Sequence, residues 1–378
     1  MARPGVYISW PFCAQKCTYC NFASGVFSRE LEHQYLDALL REMEATGWTR
    51  RTGSRSDPLC AFENQAPDTV YLGGGTPSRI AAADLERILD AVPGRPWREA
   101  TIEAAPGAID AESAACWREL GITRVSLGVQ SFDSAELART GRRHTSEMVA
   151  RDVDTLRRAG IGNFNIDLIA GLPGQTAKSW SASLEWIERI EAPHVSIYML
   201  EVDEDSRLGR EVLFHGIRYG AQAVPPDDEI AGMYETAVER LAALGLARYE
   251  ISNFARPGCE SLHNLKYWRL EPYIGFGADA HSFDGQWRWQ NVESVEEYVK
   301  RPRPEESRVR ANLSEERFFV GLRLMEGIQP EAGHEMAISR FLREGLLEHS
   351  GSRLRLTNRG VLLSNEVLQE FIECPTRA

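Results

Sequence analysis

The 378 residues include 43 Lys and Arg against 55 Asp and Glu, which gives a net charge of −12, and 43% of them are hydrophobic. This length favours two or three domains, or one large barrel with a small module, and the apolar fraction suffices for a globular core. The negative charge argues against a protein that binds nucleic acid through phosphate contacts or that docks on an anionic membrane surface.

No apolar run approaches the roughly 18 residues that span a bilayer, and the first predicted strand begins without a preceding signal peptide. We therefore expect a cytoplasmic protein. Thiols there are usually reduced, so clustered cysteines indicate metal binding or catalysis rather than disulfides. Cys60, Cys116, Cys259 and Cys374 show no mutual spacing and are expected to be ordinary core or surface thiols.

Short β-branched runs alternate with amphipathic stretches up to about residue 200. The strands lack clean alternation, so we expect them to be buried on both faces. About six βα units in series predict an α/β fold whose parallel sheet curls into a partial (β/α)6 or full barrel. The predicted strands are Val6–Trp10, Thr69–Leu72, Ala100–Ala104, Arg124–Val129, Asn163–Ile169 and His194–Leu200. The predicted helices are Arg29–Thr46, Ala82–Val92, Ser146–Arg158 with Gly160 as a stop signal, and one capped by Thr176 or Ser179.

The rest of the chain is less regular. The polar stretch Gly47–Pro67 predicts a loop or insertion. We expect a barrel core at residues 1–200, an associated α/β region at 201–310, and a mostly helical, winged-helix-like module at 311–378 with the order helix, helix, hairpin, helix. Residues 314–378 hold ten acidic and eight basic side chains, which favours packing or a lid over DNA binding.

Candidate polar residues follow successive predicted strands. A cysteine loop follows the first strand, the glycine run at 73–75 follows the second, and Glu103, Gln130 and Asp167 lie on or at the ends of the next three. Active sites of parallel barrels lie at the carboxyl ends of their strands. We therefore expect these side chains to gather at one face.

The cysteine loop places Cys13, Cys17 and Cys20 within eight positions. A structural zinc site wants four ligands, and neither a second cysteine pair nor a histidine at a usual spacing supplies the fourth. An iron–sulfur cluster normally takes four cysteines, so three would leave one iron open to another ligand. A zinc-stabilised structural protein stays an alternative, although it leaves the other polar residues unexplained.

The C-x₃-C-x₂-C motif after a first barrel strand resembles the radical S-adenosylmethionine superfamily. The resemblance implies that Cys13, Cys17 and Cys20 hold a [4Fe–4S] cluster whose remaining iron chelates S-adenosylmethionine. It further implies that cofactor contacts come from Tyr7, Tyr19, Gly73, Gly74, Gly75, Thr76, Glu103, Gln130, Arg142 and Asp167. Whether the cofactor is cleaved, and hence whether the protein is an enzyme, is left open.

Longer segments narrow the resemblance and cover most of the chain. GVYISWPFC, YLGGGTPS, NIDLIAGLPGQT, HNLKYW and GFGADAHSF resemble the family of oxygen-independent coproporphyrinogen III oxidase and the heme chaperone HemW. Phe22 stands where the oxidase has a fourth cysteine, and the first predicted strand comes only a few residues into the sequence, where the oxidase carries an N-terminal extension. On both points we expect the chaperone branch. Ser9 stands where the family usually has histidine, which puts the role of that histidine in doubt.

The chaperone branch implies a protein that binds heme and delivers it to membrane respiratory proteins. It also implies that two copies of the chain can form a homodimer. HNLKYW matches the H-N-x-x-Y-W motif associated there with heme, so the resemblance assigns heme contacts to His263, Tyr267 and Trp268. An imidazole can supply an axial nitrogen, and aromatic rings pack on a planar macrocycle. His281 is a second candidate without a clear role. The alternative function is radical oxidative decarboxylation of coproporphyrinogen III.

Overall fold

The computed structural model describes residues 2–45, 66–301 and 307–372. Most of the predicted polar insertion, together with Cys60 and Cys374, lies outside the described residues.

Six parallel strands lie side by side in chain order and form the centre of a twelve-stranded sheet. All six predicted strands are confirmed, with bounds that shift by one or two residues. They are β1 (Gly5–Trp10), β2 (Thr69–Gly74), β3 (Glu99–Ala104), β4 (Arg124–Gln130), β5 (Asn163–Ala170) and β6 (His194–Met199).

The helices between these strands begin at side-chain caps where the sequence supplies them. Thr176 and Ser179 form a capping box at the start of one helix, and Thr145 accepts a hydrogen bond from the backbone of Met148 at another. Gly160, at φ 80°, follows the end of that second helix, as predicted. The helices are α1 (Arg29–Ala45), α2 (Ala82–Asp90), α3 (Ala111–Glu119), α4 (Ser134–Arg139), α5 (Ser146–Arg158) and α6 (Ala177–Arg189).

The strands are buried on both faces, as expected, but the expectation that they lack alternation is wrong. In β4 the apolar Val125 and Leu127 belong to the buried hydrophobic cluster, whereas Arg124 and Ser126 face the other way. The same pattern holds in β5 and β6. Helices cover the apolar outer face of the sheet, and the inner face carries hydrogen-bonded polar side chains in place of an apolar filling.

Later elements extend both edges of the six-stranded core. At the β6 edge, α7 (Arg207–Leu213) and α8 (Asp227–Ala243) precede β7 (Ala247–Arg248) and β8 (Asn253–Ala255), and β8 pairs antiparallel with β6. At the β1 edge, β9 pairs parallel with β1, and β10 to β12 follow antiparallel. This second group comprises α9 (Leu262–Trp268), β9 (Tyr273–Phe276), β10 (His281–Phe283), β11 (Trp287–Gln290), α10 (Val295–Lys300) and β12 (Val309–Arg310).

The sheet runs from β12 to β7 without closing on itself in the described residues, which fits a partial barrel. The C-terminal order of helix, helix, hairpin and helix is confirmed, although the last helix is broken in two. These elements are α11 (Leu313–Phe319), α12 (Glu335–Arg343), β13 (Leu347–Ser350), β14 (Arg353–Leu356), α13 (Asn358–Leu362) and α14 (Ser364–Gln369). None of the helices within the described ranges is long and apolar enough to cross a membrane.

Candidate functional site

The loop between β1 and α1 carries the three clustered cysteines and is held by backbone hydrogen bonds. Cys13 N donates to Gly25 O at 2.8 Å, and Gly25 N donates to Pro11 O at 2.9 Å, which closes the base of the loop. Further along, Thr18 N donates to Thr140 O at 3.2 Å. The loop is therefore anchored at its base and again on the connection between α4 and α5.

The three thiols are half-buried and free. Burial raises the pKa of Cys13, and the Thr76 hydroxyl lies 3.6 Å from its Sγ atom. Among the described residues, no three metal-binding side chains converge on a position for a single ion. A cubane cluster bonds each thiolate to a different iron and so takes more widely spaced sulfurs than one tetrahedral ion. Three free thiols on one anchored loop fit such a cluster.

The glycine run at the end of β2 packs directly against the cysteine loop. Gly75 N donates to Trp10 O at 2.9 Å, and Thr76 N donates to Phe12 O at 3.0 Å. A Cβ atom on Gly75 would lie 2.7 Å from the Trp10 carbonyl oxygen, and Gly74 adopts φ 101°. The two chain segments can approach this closely only because these residues have no side chains.

Two carboxylates and three tyrosines line the inner face below this junction. The Tyr71 hydroxyl donates to Glu103 Oε1 at 2.9 Å, and the Tyr7 and Tyr71 rings stack at 6.1 Å. Burial, followed by the charge of Asp167, raises the pKa of Glu103 to about 7. Tyr198 is 42% exposed, yet burial raises its pKa well above the ordinary value. Its side chain is therefore both solvent-accessible and surrounded by protein, as expected in a recess.

Asp167 is oriented by its neighbours on the inner face. Asn165 Nδ2 donates to Asp167 Oδ1 at 2.7 Å, and Ser126 Oγ donates to the other carboxylate oxygen at 3.3 Å. Because Asn165 uses its amide nitrogen there, its oxygen accepts from His194 Nδ1 at 2.7 Å. His194 Nε2 then accepts from the Tyr249 hydroxyl at 2.9 Å.

Arg142 ties the cysteine loop to β4. Its Nε donates to the Tyr19 hydroxyl at 3.0 Å, and a second nitrogen donates to Gly128 O at 2.6 Å. Gln130 ends β4 with φ 72°, next to an irregularity in the pairing with β5. A left-handed backbone is uncommon for glutamine, and such conformations concentrate at functional sites.

The HNLKYW segment forms α9, which packs beside β2 and places His263 next to the Tyr71 ring. His263 is fully buried, its Nδ1 lies 2.9 Å from Thr69 Oγ1, and its Nε2 lies 2.8 Å from the Tyr267 hydroxyl. Burial and then the charge of Lys266 lower its pKa to about 3. The imidazole is thus neutral and occupied at both nitrogens in this structure, so ligation of iron by His263 would require the Tyr267 hydroxyl to move.

The other residues of the motif lie nearer open space. The Tyr267 ring packs against Tyr273 at 4.6 Å, and the Arg323 guanidinium lies 5.3 Å from the Trp268 ring. Both aromatic side chains are partly exposed. His263 lies behind the Tyr267 hydroxyl and contacts it through Nε2.

The structure therefore places all the predicted cofactor residues at or below the carboxyl ends of the central strands. It places α9 beside β2, where His263 and Tyr71 rings are 5.4 Å apart. Sequence reasoning missed Tyr71, Tyr198, Ser126 and Asn165. A polar residue at every second position of these strands is the sequence pattern that indicates them.

Known proteins resemble this chain along nearly its whole length. The family described as the radical SAM superfamily matches residues 7–187. The heme chaperone HemW of Lactococcus lactis is 33% identical, over 97% of this chain and 96% of the relative, and HemW of Bacillus subtilis is also 33% identical, over 97% and 98%. The structure of the radical SAM enzyme coproporphyrinogen III oxidase (HemN) from Escherichia coli superposes with a TM-score of 0.78 at 20% identity, covering 98% of this chain and 90% of that one. The last of these similarities concerns the fold alone.

Proposed function

Because the chain belongs to the radical SAM superfamily and, within it, to the family of HemW heme chaperones, we propose that it binds a [4Fe–4S] cluster, S-adenosylmethionine and heme, and passes the heme on. The observation that carries the proposal is the junction of the cysteine loop with the glycine run. Three free thiols lie there against a glycine run that packs too closely on its neighbours to carry side chains.

Cys13, Cys17 and Cys20 would hold the cluster, and Gly73 to Thr76 would line the adjoining cofactor position. Bound there, the cluster and S-adenosylmethionine supply one-electron reductive chemistry at a sulfonium. The chain's own residues bind and orient. Arg142 fixes Tyr19 on the loop, and Asn165 with Ser126 fixes the carboxylate of Asp167 toward the recess.

Heme would lie on the face of Tyr267 and Trp268, whose rings can pack on a macrocycle. His263, which the motif associates with heme, supports this face through Tyr267. Recipients among membrane respiratory proteins, a homodimeric state and a cytoplasmic location are further parts of the proposal.

The test begins with the cluster. We expect anaerobically reconstituted protein to bind about four iron and four sulfide per chain, and Cys17→Ala to lose nearly all of both, because two thiolates rarely hold a cubane. Cys116→Ala is the matched control, since Cys116 is a half-buried free thiol on α3, remote in sequence from the loop. Zinc without sulfide in the wild-type protein would instead favour the zinc-stabilised alternative.

The second step distinguishes a heme chaperone from a coproporphyrinogen III oxidase. Protein with an intact cluster is given reductant, S-adenosylmethionine and coproporphyrinogen III, and porphyrin products are followed by mass spectrometry. We expect no loss of carboxyl groups above the Cys17→Ala background, together with saturable heme binding in a separate titration. Decarboxylated product would make the protein an oxidase despite Phe22.

A further inference from the structure

Two of the three clustered thiols lie beside an aliphatic hydroxyl group. The Thr76 hydroxyl donates to Cys13 Sγ at 3.6 Å, and the Ser24 hydroxyl lies 3.8 Å from Cys20 Sγ. A thiolate bound to metal has lone pairs but no proton, so in the loaded protein each hydroxyl is the donor. Two of the proposed cluster ligands thus have a hydrogen-bond donor in place.

The third thiol, Cys17, interacts with the hydroxyl of Tyr19. Arg142 Nε donates to the Tyr19 oxygen at 3.0 Å, which leaves the phenolic proton free to point toward Cys17. Burial raises the pKa of Tyr19 above its ordinary value, the charge of Arg142 acts against this, and Cys17 adds to it through its own charge and a hydrogen bond. Tyr19 therefore stands to Cys17 as the aliphatic hydroxyls stand to the other two thiols.

The guanidinium of Arg142 distinguishes the Tyr19 hydroxyl from the other two. A second guanidinium nitrogen donates to Gly128 O at 2.6 Å, which fixes the group between β4 and the loop. Burial acts to lower the pKa of Arg142, but Tyr19 and Cys17 raise it above the ordinary value, so the side chain keeps its positive charge. A phenol that accepts from a cation is polarised and becomes a stronger donor than an isolated hydroxyl.

The backbone holds both partners of this pair in register. Thr18 N donates to Thr140 O at 3.2 Å, and Leu208 N donates to Thr18 O at 2.8 Å. Thr18 precedes Tyr19 directly, and Thr140 lies two residues before Arg142. The contact between phenol and guanidinium is therefore fixed from the main chain on both sides.

We propose that the Tyr19 hydroxyl, held by Arg142, donates to the Cys17 sulfur and makes the cluster easier to reduce. Reduction adds negative charge to a cluster, so hydrogen bonds to its sulfur ligands and a nearby cation favour the reduced form. Thr76 and Ser24 add smaller effects of the same sign. Tyr19 and Arg142 are here positioning residues, because they act through the ligand. This inference rests on the proposed cluster and deepens it.

The test is a redox titration of the reconstituted full chain with dithionite, without S-adenosylmethionine, followed by the electron paramagnetic resonance signal of the reduced cluster. We expect Tyr19→Phe to bind wild-type amounts of iron and sulfide. At a fixed potential its ratio of reduced to oxidised cluster should fall about tenfold, which corresponds to a midpoint lower by about 59 mV. Thr76→Val and Ser24→Ala should each lower this ratio about threefold.

Two arginine variants show whether the cation acts through the phenol. Arg142→Gln should lower the same ratio, and its effect in the Tyr19→Phe background should be smaller than in the wild type, because the two groups act as a unit. Arg143→Gln is the matched control, since Arg143 is the adjacent arginine and is exposed. Its charge is screened by solvent, so the ratio should change by less than about twofold.

An unchanged midpoint in Tyr19→Phe, with the cluster intact, would overturn the assignment. Loss of iron and sulfide in that variant would overturn it as well, because Tyr19 would then be needed to hold the loop. Equal effects of Arg142→Gln and Arg143→Gln would show that the contact with Tyr19 has no special role. A wild-type chain that takes up no iron and sulfide would instead overturn the proposed cluster itself.

Discussion

The carboxyl group of Glu103 makes the stability of the folded protein depend on pH. Its carboxyl is enclosed, faces Asp167 and accepts a hydrogen bond from Tyr71. Enclosure and like charge both disfavour the ionised form, and the hydrogen bond offsets them only in part. The folded protein therefore keeps this proton to about pH 7, whereas an ordinary glutamate releases it near pH 4.5.

We predict that Glu103→Gln removes a pH dependence of folding stability. Between about pH 4.5 and 7 unfolding releases the Glu103 proton, so rising pH lowers the free energy of unfolding, by at most about 1.4 kcal/mol per pH unit. Urea unfolding of the protein without cofactors at pH 5, 6, 7 and 8 measures this. The difference between wild type and variant should change through that window and level off above it. A constant difference would contradict the raised pKa.

Sequence reasoning reached some residues and not others for a physical reason. The cysteines, the glycine run, Glu103 and Asp167 belong to motifs, and motifs are local in sequence. Tyr198 and Asn165 acquire their positions from strand register, which depends on pairing between distant segments. The burial of His263 likewise follows from the packing of α9 on β2, and the motif alone gives no sign of it.

At the scale of elements, the site depends on two loops that share backbone hydrogen bonds. The connection after β1 and the end of β2 meet at Gly75, where a Cβ atom would lie 2.7 Å from backbone atoms of Trp10 and Pro11. Backbone cannot rotate away as a side chain can, so a substitution there must separate the two loops.

We predict that Gly75→Ala lowers the iron and sulfide content of reconstituted protein by more than half and reduces the melting temperature. Gly232→Ala is the matched control, because Gly232 lies within α8 and its added Cβ meets nothing within 4 Å. Alanine there should stabilise the helix by about 0.5–1 kcal/mol. Equal cluster content in the two variants would show that the close approach is not required.

The same elements show where prediction from sequence ends. The helices α1, α5 and α6 follow from periodicity and caps, which are properties of neighbouring residues. The short strands β7, β8 and β12 have two or three residues each and exist through their partners in the sheet. In the central strands, apolar residues alternate with polar ones. Here the apolar residues face outward to the helices and the polar residues face the barrel interior, which is the reverse of the usual expectation that polar residues face solvent.

For the whole molecule, a buried glutamate joins the first helix to the last part of the sheet. Glu42 on α1 accepts from Gly277 N at 3.0 Å, from Asn291 Nδ2 at 2.8 Å and from the Tyr298 hydroxyl at 2.6 Å. These donors belong to the turn after β9, the end of β11 and α10. One carboxylate thus connects segments more than 230 residues apart.

We predict that Glu42→Ala destabilises the protein by on the order of 3 kcal/mol, because removing the carboxylate leaves several buried donors without an acceptor. Glu44→Ala, on the exposed side of the same helix, should change stability by less than about 0.5 kcal/mol. Urea unfolding measures both variants. Similar values for the two would mean that the donors find other acceptors.

The two faces of the sheet have different roles. The apolar outer face packs against the helices and stabilises the fold, whereas the polar inner face carries the candidate binding residues. Apolar packing lies between the outer face and the helices, so exchanging one inner hydrogen-bonding group for another of similar size disturbs little of what holds the chain together. A scaffold of this kind suits engineering, because side chains of the inner face can be exchanged while the apolar framework stays unchanged.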